Sequence, residues 1–187
     1  MIYYTGAKKS EERQDNPSLS LGGFKSSSQV PNGTIHNLFP KITQSTVIKN
    51  HKIIRMIVVH NPTNASMANV KLWSENGEFS KILIAAIFPA YDTECEVYYF
   101  EEVANEQSLP YQGTLAEYSE TTPLLIPELL PNQIVGIWLR KELDLDKFNE
   151  LEKGQNDLSC EATIEILQIE ETDPILEDNV KINISWD

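Results

Sequence analysis

Gln133-Ile-Val-Gly-Ile-Trp-Leu139, followed at once by Arg140-Lys141, is the stretch whose reading decides the fold. Ile134, Gly136 and Trp138 fall on one side of an extended chain and Val135, Ile137 and Leu139 on the other, so both sides are apolar apart from the glycine. A strand with two apolar faces belongs in the middle of a sheet that is covered on both sides. The prolines and acid of Pro127-Glu-Leu-Leu-Pro131-Asn132 are turn chemistry, and the charged pair after Leu139 reads as the point where the strand returns to water.

Further strands follow outward from this one. Ile53-Ile-Arg-Met-Ile-Val-Val59 reads as a second buried strand, ended by the turn-rich His60-Asn-Pro-Thr-Asn64. Asn69-Val-Lys-Leu-Trp73 turns Val70 and Leu72 inward, and Asn76-Gly77 suits a hairpin turn into the strand Lys81–Phe88. Glu96–Phe100 is a further strand, and the loop from Glu101 to Pro131, with four prolines, has room for short strands only. Asp144–Gly154 carries Leu145, Phe148 and Leu151 among charges, as a short helix or a crossing loop. Cys160–Ile169 and the alternating Val180–Trp186 complete the set. Short strands, Pro/Asn/Gly turns and no long amphipathic helix predict an all-β, antiparallel sandwich.

Residues 1–50 have a different texture, with no sustained period of 2 or 3.6. They read as an extended N-terminal arm, punctuated by a turn at Pro31-Asn32-Gly33 and carrying isolated apolar clusters, attached to a β-sandwich domain at 51–187. Charge divides in the same place. The chain carries −13 in total; residues 1–50 hold six basic groups against three acidic ones, or +3, and the remainder holds nine against twenty-five, or −16. A mildly basic arm on a strongly acidic body favours docking of the arm on a neighbouring copy. The same acidity disfavours nucleic-acid binding through the body, because phosphate contacts need clustered Lys and Arg.

Motifs of chemistry are lacking. Cys95 and Cys160 have no CxxC partner, and both sit in apolar-patterned runs, which reads as small buried hydrophobes. His36, His51 and His60 are never at metal-ligand spacing, Asp144 and Asp146 lack the spacing of a calcium loop, and there is no GxSxG, P-loop or GxGxxG. The expectation is therefore no enzyme, no cofactor and no metal. No run approaches the length of a membrane helix, so the expected partners include no membrane and the expected place of synthesis is the cytoplasm.

Trp73, Trp138 and Trp186 sit in strand patterns, as core or interface fillers. Tyr91, Tyr98, Tyr99, Tyr111 and Tyr118 cluster in the loop-rich middle, where rings serve protein interfaces or, in the competing reading, stack on sugar faces.

Several phrases together resemble a class of tailed-bacteriophage virion proteins. They are Ser20-Leu-Gly-Gly-Phe-Lys-Ser-Ser27 with Val30-Pro-Asn-Gly33, Asn37-Leu-Phe39, Val59-His-Asn-Pro62 with Asn69-Val-Lys-Leu-Trp73, and Leu130-Pro-Asn-Gln133 with Gly136-Ile-Trp-Leu-Arg140. Their order matches from about residue 20 to 141. The resemblance implies an N-terminal arm followed by an Ig-like or jelly-roll-like sandwich, in a head-to-tail connector or tail-ring protein of the crAss-like podovirus type. It implies a virion location, a homo-oligomeric ring that meets portal or adjacent ring proteins, and a channel through which DNA passes without specific binding. It carries no catalytic residues.

The residues expected at a subunit contact of the arm are Lys8, Lys9, Arg13, Leu21, Phe24, Leu38 and Phe39. The alternative is a carbohydrate- or receptor-binding module, which needs an exposed aromatic cluster within residues 91–118.

Overall fold

The computed structural model describes residues 1–31, 38–39, 52–77, 80–147 and 181–186. Nine strands run through these residues: β1 (Ile2–Tyr4), β2 (Lys52–His60), β3 (Met67–Glu75), β4 (Ser80–Ile87), β5 (Ala90–Asp92), β6 (Val97–Tyr99), β7 (Leu124–Leu129), β8 (Ile134–Leu143) and β9 (Lys181–Ser185). They form an all-β, antiparallel sandwich. One sheet has the order β1-β2-β8-β4, the other β7-β3-β9, and β5 and β6 make a separate hairpin.

The strand β8 is central, as its two apolar faces require. It pairs with β2, setting Ile137 against Ile57, and with β4, setting Ile137 against Ala86. Val135, Ile137 and Leu139 join Ile53, Ile57, Ile82 and Ile84 on the face that meets the second sheet, which contributes Met67, Val70, Leu72, Ile126, Leu129 and Ile182. Ile134 and Trp138 point the other way, with Ile54, Met56, Val58 and Ala85, under a lid of Phe100 and Val103 with Leu21 and Leu115 packed against it. The sheet is therefore covered twice, once by a sheet and once by loops.

β8 does not end at Leu139. It runs on to Leu143, with Lys141 buried, because β2 and β4 both continue beside it and pair Ile53 and Ile82 with Lys141. Two paired neighbours hold a charged dipeptide inside a sheet that its sequence marks as the edge of water. Asn76-Gly77 is likewise not a hairpin turn. β3 and β4 belong to different sheets, so this connection is a corner, tied by Asn76 Oδ1 accepting from Ile82 N–H at 3.1 Å and Ser74 Oγ donating to the Ile82 carbonyl at 3.3 Å.

Within β3, Asn69 sits at φ +50°, and there the strand changes phase, so that Met67 as well as Val70 and Leu72 face the core. Past Asp144, whose Oδ1 accepts from Lys147 N–H at 3.2 Å, residues 145–147 are helical. The expected turn at Asn32-Gly33, the strand Cys160–Ile169, Cys160 itself and the remainder of Asp144–Gly154 lie outside the described residues.

Residues 1–31 lie along the body of the same chain. β1 pairs with β2, aligning Tyr4 with Ile57, and where β1 stops the edge of β2 is taken over by loops. Met56 N–H donates to the Ser20 carbonyl at 2.7 Å and Ile54 N–H to the Glu106 carbonyl at 2.8 Å. The outer edge of β1 is covered in turn, through Tyr4 N–H to Ser28 and Val30 N–H to Ile2. An edge whose donors are engaged in this way is a poor template for stray pairing.

Candidate functional site

The hairpin β5–β6 stands beside the first sheet and is short, exposed and aromatic. Its turn is made by Asp92, whose Oδ1 accepts from Glu94 N–H at 2.8 Å and Cys95 N–H at 3.0 Å. These bonds favour the ionised carboxylate and hold Asp92 below its ordinary pKa. Tyr91 and Tyr98 face each other across the pair, ring centroids 4.9 Å apart and tilted by 54°. Both are about half exposed, as are Tyr99 and Phe88 nearby in the chain, and Tyr111 is 92% exposed. Tyr111 stands on a fixed loop, because Glu101 accepts from the N–H groups of Tyr111 and Gln112 at 2.7 and 3.0 Å.

Next to the hairpin lies a cleft of about 500 Å³, walled by Phe88, Pro89 and Tyr98 on one side and by Leu130, Pro131, Asn132, Gln133 and Ile134 on the other. The second wall is rigid. Asn132 holds φ +60°, its N–H donates to the Asn61 carbonyl at 2.8 Å, and Gln133 Oε1 accepts from Leu130 N–H at 2.9 Å. Asn61 locks the turn from below, its Nδ2 donating to the carbonyls of Ala65, Leu129 and Leu130. Aromatic rings, prolines and two carboxamides thus line the cleft, one wall of which is held by hydrogen bonds.

The residues that line the cleft are uncharged, and the chain that supplies the hairpin is acidic. Residues 82–139 contain Asp92, Glu94, Glu96, Glu101, Glu102, Glu106, Glu117, Glu120 and Glu128 and no Lys, Arg or His. Glu106 is paired with the buried Arg55 and Glu117 with Lys81; the others make no ion pair among the described residues. An anionic ligand is repelled here and a cationic or neutral one is favoured.

The residues expected at an arm contact separate into two groups. Lys8, Lys9 and Arg13 are exposed, Arg13 forming a surface pair with Asp15 at 2.8 Å. Leu21 packs against the Phe100 layer and Phe24 bridges Ala7, both on their own body. Leu38 and Phe39 are each 1% exposed, inside the core between the sheets. In this conformation only the three cations face outward. Cys95, expected to be buried, is exposed in the hairpin turn, where Asp92 caps the chain and no apolar layer reaches it.

Among the described residues no group of three or more His, Cys, Asp or Glu is placed to hold a metal ion, and no helix is long and apolar enough to cross a membrane. The chain matches no protein-family model, no curated protein and no solved structure.

The phrases Ser20–Ser27, Val59–Pro62 and Gly136–Arg140 have identifiable work in the fold. Gly22, at φ +101°, passes over Glu101 so closely that a Cβ would lie 1.9 Å from its carbonyl oxygen. Asn61 of Val59-His-Asn-Pro62 ties the β2 end to the β7–β8 turn, and Gly136 makes room for Phe100.

The hairpin and cleft were half visible in sequence. The tyrosines were; their convergence with Leu130–Ile134 depends on β8 lying beside β4, a long-range pairing that no local pattern reports.

Proposed function

We propose that the chain is a structural subunit of a tailed-phage virion, assembling through protein contacts into an oligomeric ring at the head-to-tail connector or tail. The observation that carries this reading is the exposed aromatic hairpin and the cleft beside it. Large exposed rings around a preformed apolar recess are the material of protein interfaces. The ring form, the portal or adjacent ring proteins as neighbours and the virion location come from the resemblance. The acidic surface supports a conduit role, because DNA slides past like charge without being held. In this reading the protein is not an enzyme and takes no cofactor.

The test is electron microscopy of the concentrated full-length protein at low salt. Closed rings are the expected result; single particles of monomer size throughout would count against it.

The same exposed tyrosines favour a second reading, a carbohydrate- or receptor-binding module. Glycan-array binding abolished by Tyr98→Ala or Tyr111→Ala is the outcome that would establish it.

A further inference from the structure

We infer that the hairpin and its cleft receive the basic turn at Lys8-Lys9 of a second copy of this chain. The inference rests on the assembly reading above and names the two surfaces that meet.

The receiving surface favours a cation. Tyr91, Tyr98 and Phe88 present aromatic faces and edges, and the adjoining turn carries Asp92, Glu94 and Glu96 with no basic residue within it. Rings beside carboxylates are the chemistry that holds an ammonium group, through the ring quadrupole and the Coulomb field together. The chain uses this chemistry internally: Lys25 Nζ lies 4.2 Å from the centre of the Tyr3 ring while pairing with Glu11 at 2.7 Å.

The occupant is also preformed. Ala7 is bridged to Phe24, Glu11 N–H donates to the Lys25 carbonyl at 3.1 Å and Glu12 N–H to the Lys9 carbonyl at 3.2 Å, with Glu11 at φ +61°. This closes a tight turn that holds Lys8 and Lys9 in solvent, with no ion pair among the described residues. Of the turn's carboxylates, Glu11 is occupied by Lys25, and Glu12 alone remains beside the two cations. A basic turn is therefore complementary to an aromatic hairpin with an acidic tip, and two unlike surfaces of one chain generate a head-to-tail contact of the kind that closes into rings.

A charge-swap experiment on the full-length chain decides it. Lys8→Glu with Lys9→Glu, and separately Glu94→Lys with Glu96→Lys, should each weaken self-association at least tenfold at low salt. All four side chains are exposed, so each variant should keep the wild-type unfolding temperature. An equimolar mixture of the two variants should regain association, since each then offers the surface that complements the other. Carbodiimide should cross-link Lys8 or Lys9 of one isotopically labelled copy to a hairpin carboxylate of an unlabelled one.

Wild-type association that neither pair of substitutions alters would overturn this contact and leave the assembly reading standing. A wild type that stays monomeric and yields no such cross-link would overturn both. Binding of a neutral glycan lost in Tyr98→Ala, with no effect of the lysine substitutions, would give the cleft to a sugar instead.

Discussion

Gly136 lies in mid-strand for want of space. A Cβ there would approach two ring carbons of Phe100 to 2.7 Å and Met56 Cε to 3.3 Å, so the lid over the outer face of the sheet depends on its absence. Overpacking of this kind costs about 1–3 kcal/mol. Gly136→Ala is expected to lower stability by that amount in denaturant unfolding, and Phe100→Leu in the same chain to recover part of the loss, because the two positions share one contact.

His60 is the other residue with a definite forecast. Its Nδ1 is buried without a partner among the described residues, and burial, with Lys25 and the N-terminal amine nearby, lowers its pKa, partly offset by Glu11. The folded protein thus binds that proton less tightly than the unfolded chain does. Stability is held above the ordinary histidine pKa of about 6.5 and falls as pH drops through it towards the lower folded value. His60→Gln should flatten the pH dependence of the unfolding midpoint between about pH 7 and 5. An unchanged slope would assign that dependence to other groups.

At the scale of elements, the two-faced pattern of Ile134–Leu139 was legible because a central strand needs nothing but its own residues to declare itself. Its extension to Leu143 was not, since only the neighbours β2 and β4 keep Arg140 and Lys141 in register. The segment 1–31 escaped a period-based reading for a similar reason: its work is done by isolated residues on other elements' surfaces. The Ser20 carbonyl takes the Met56 N–H on the β2 edge and Leu21 packs against the layer that holds Trp138 and Met56, neither of which leaves a periodic trace. Of the expected contact residues, the cations stay outward, while Leu38 and Phe39 follow the rule that large apolar side chains seek the nearest core. Deleting residues 1–30 should therefore act on stability first. It removes β1 and exposes the donors of Met56 and His60, and the expected outcome is a large fall in unfolding temperature or aggregation. A truncated chain with wild-type stability would show that the segment is dispensable to the fold.

For the whole molecule, the decisive feature is the distribution of charge over a rigid sandwich. On the proposed contact, a cation of one copy meets a carboxylate of the next against the repulsion of the acidic residues within 82–139, so association should be specific, directional and sensitive to salt. The measurement that tests this most directly is the mass of the full-length protein in solution by light scattering at low and moderate salt. The account predicts a species several times the 21.2 kDa of the chain at low salt, diminishing as salt screens the contact. A 21.2 kDa monomer at every salt concentration would contradict it.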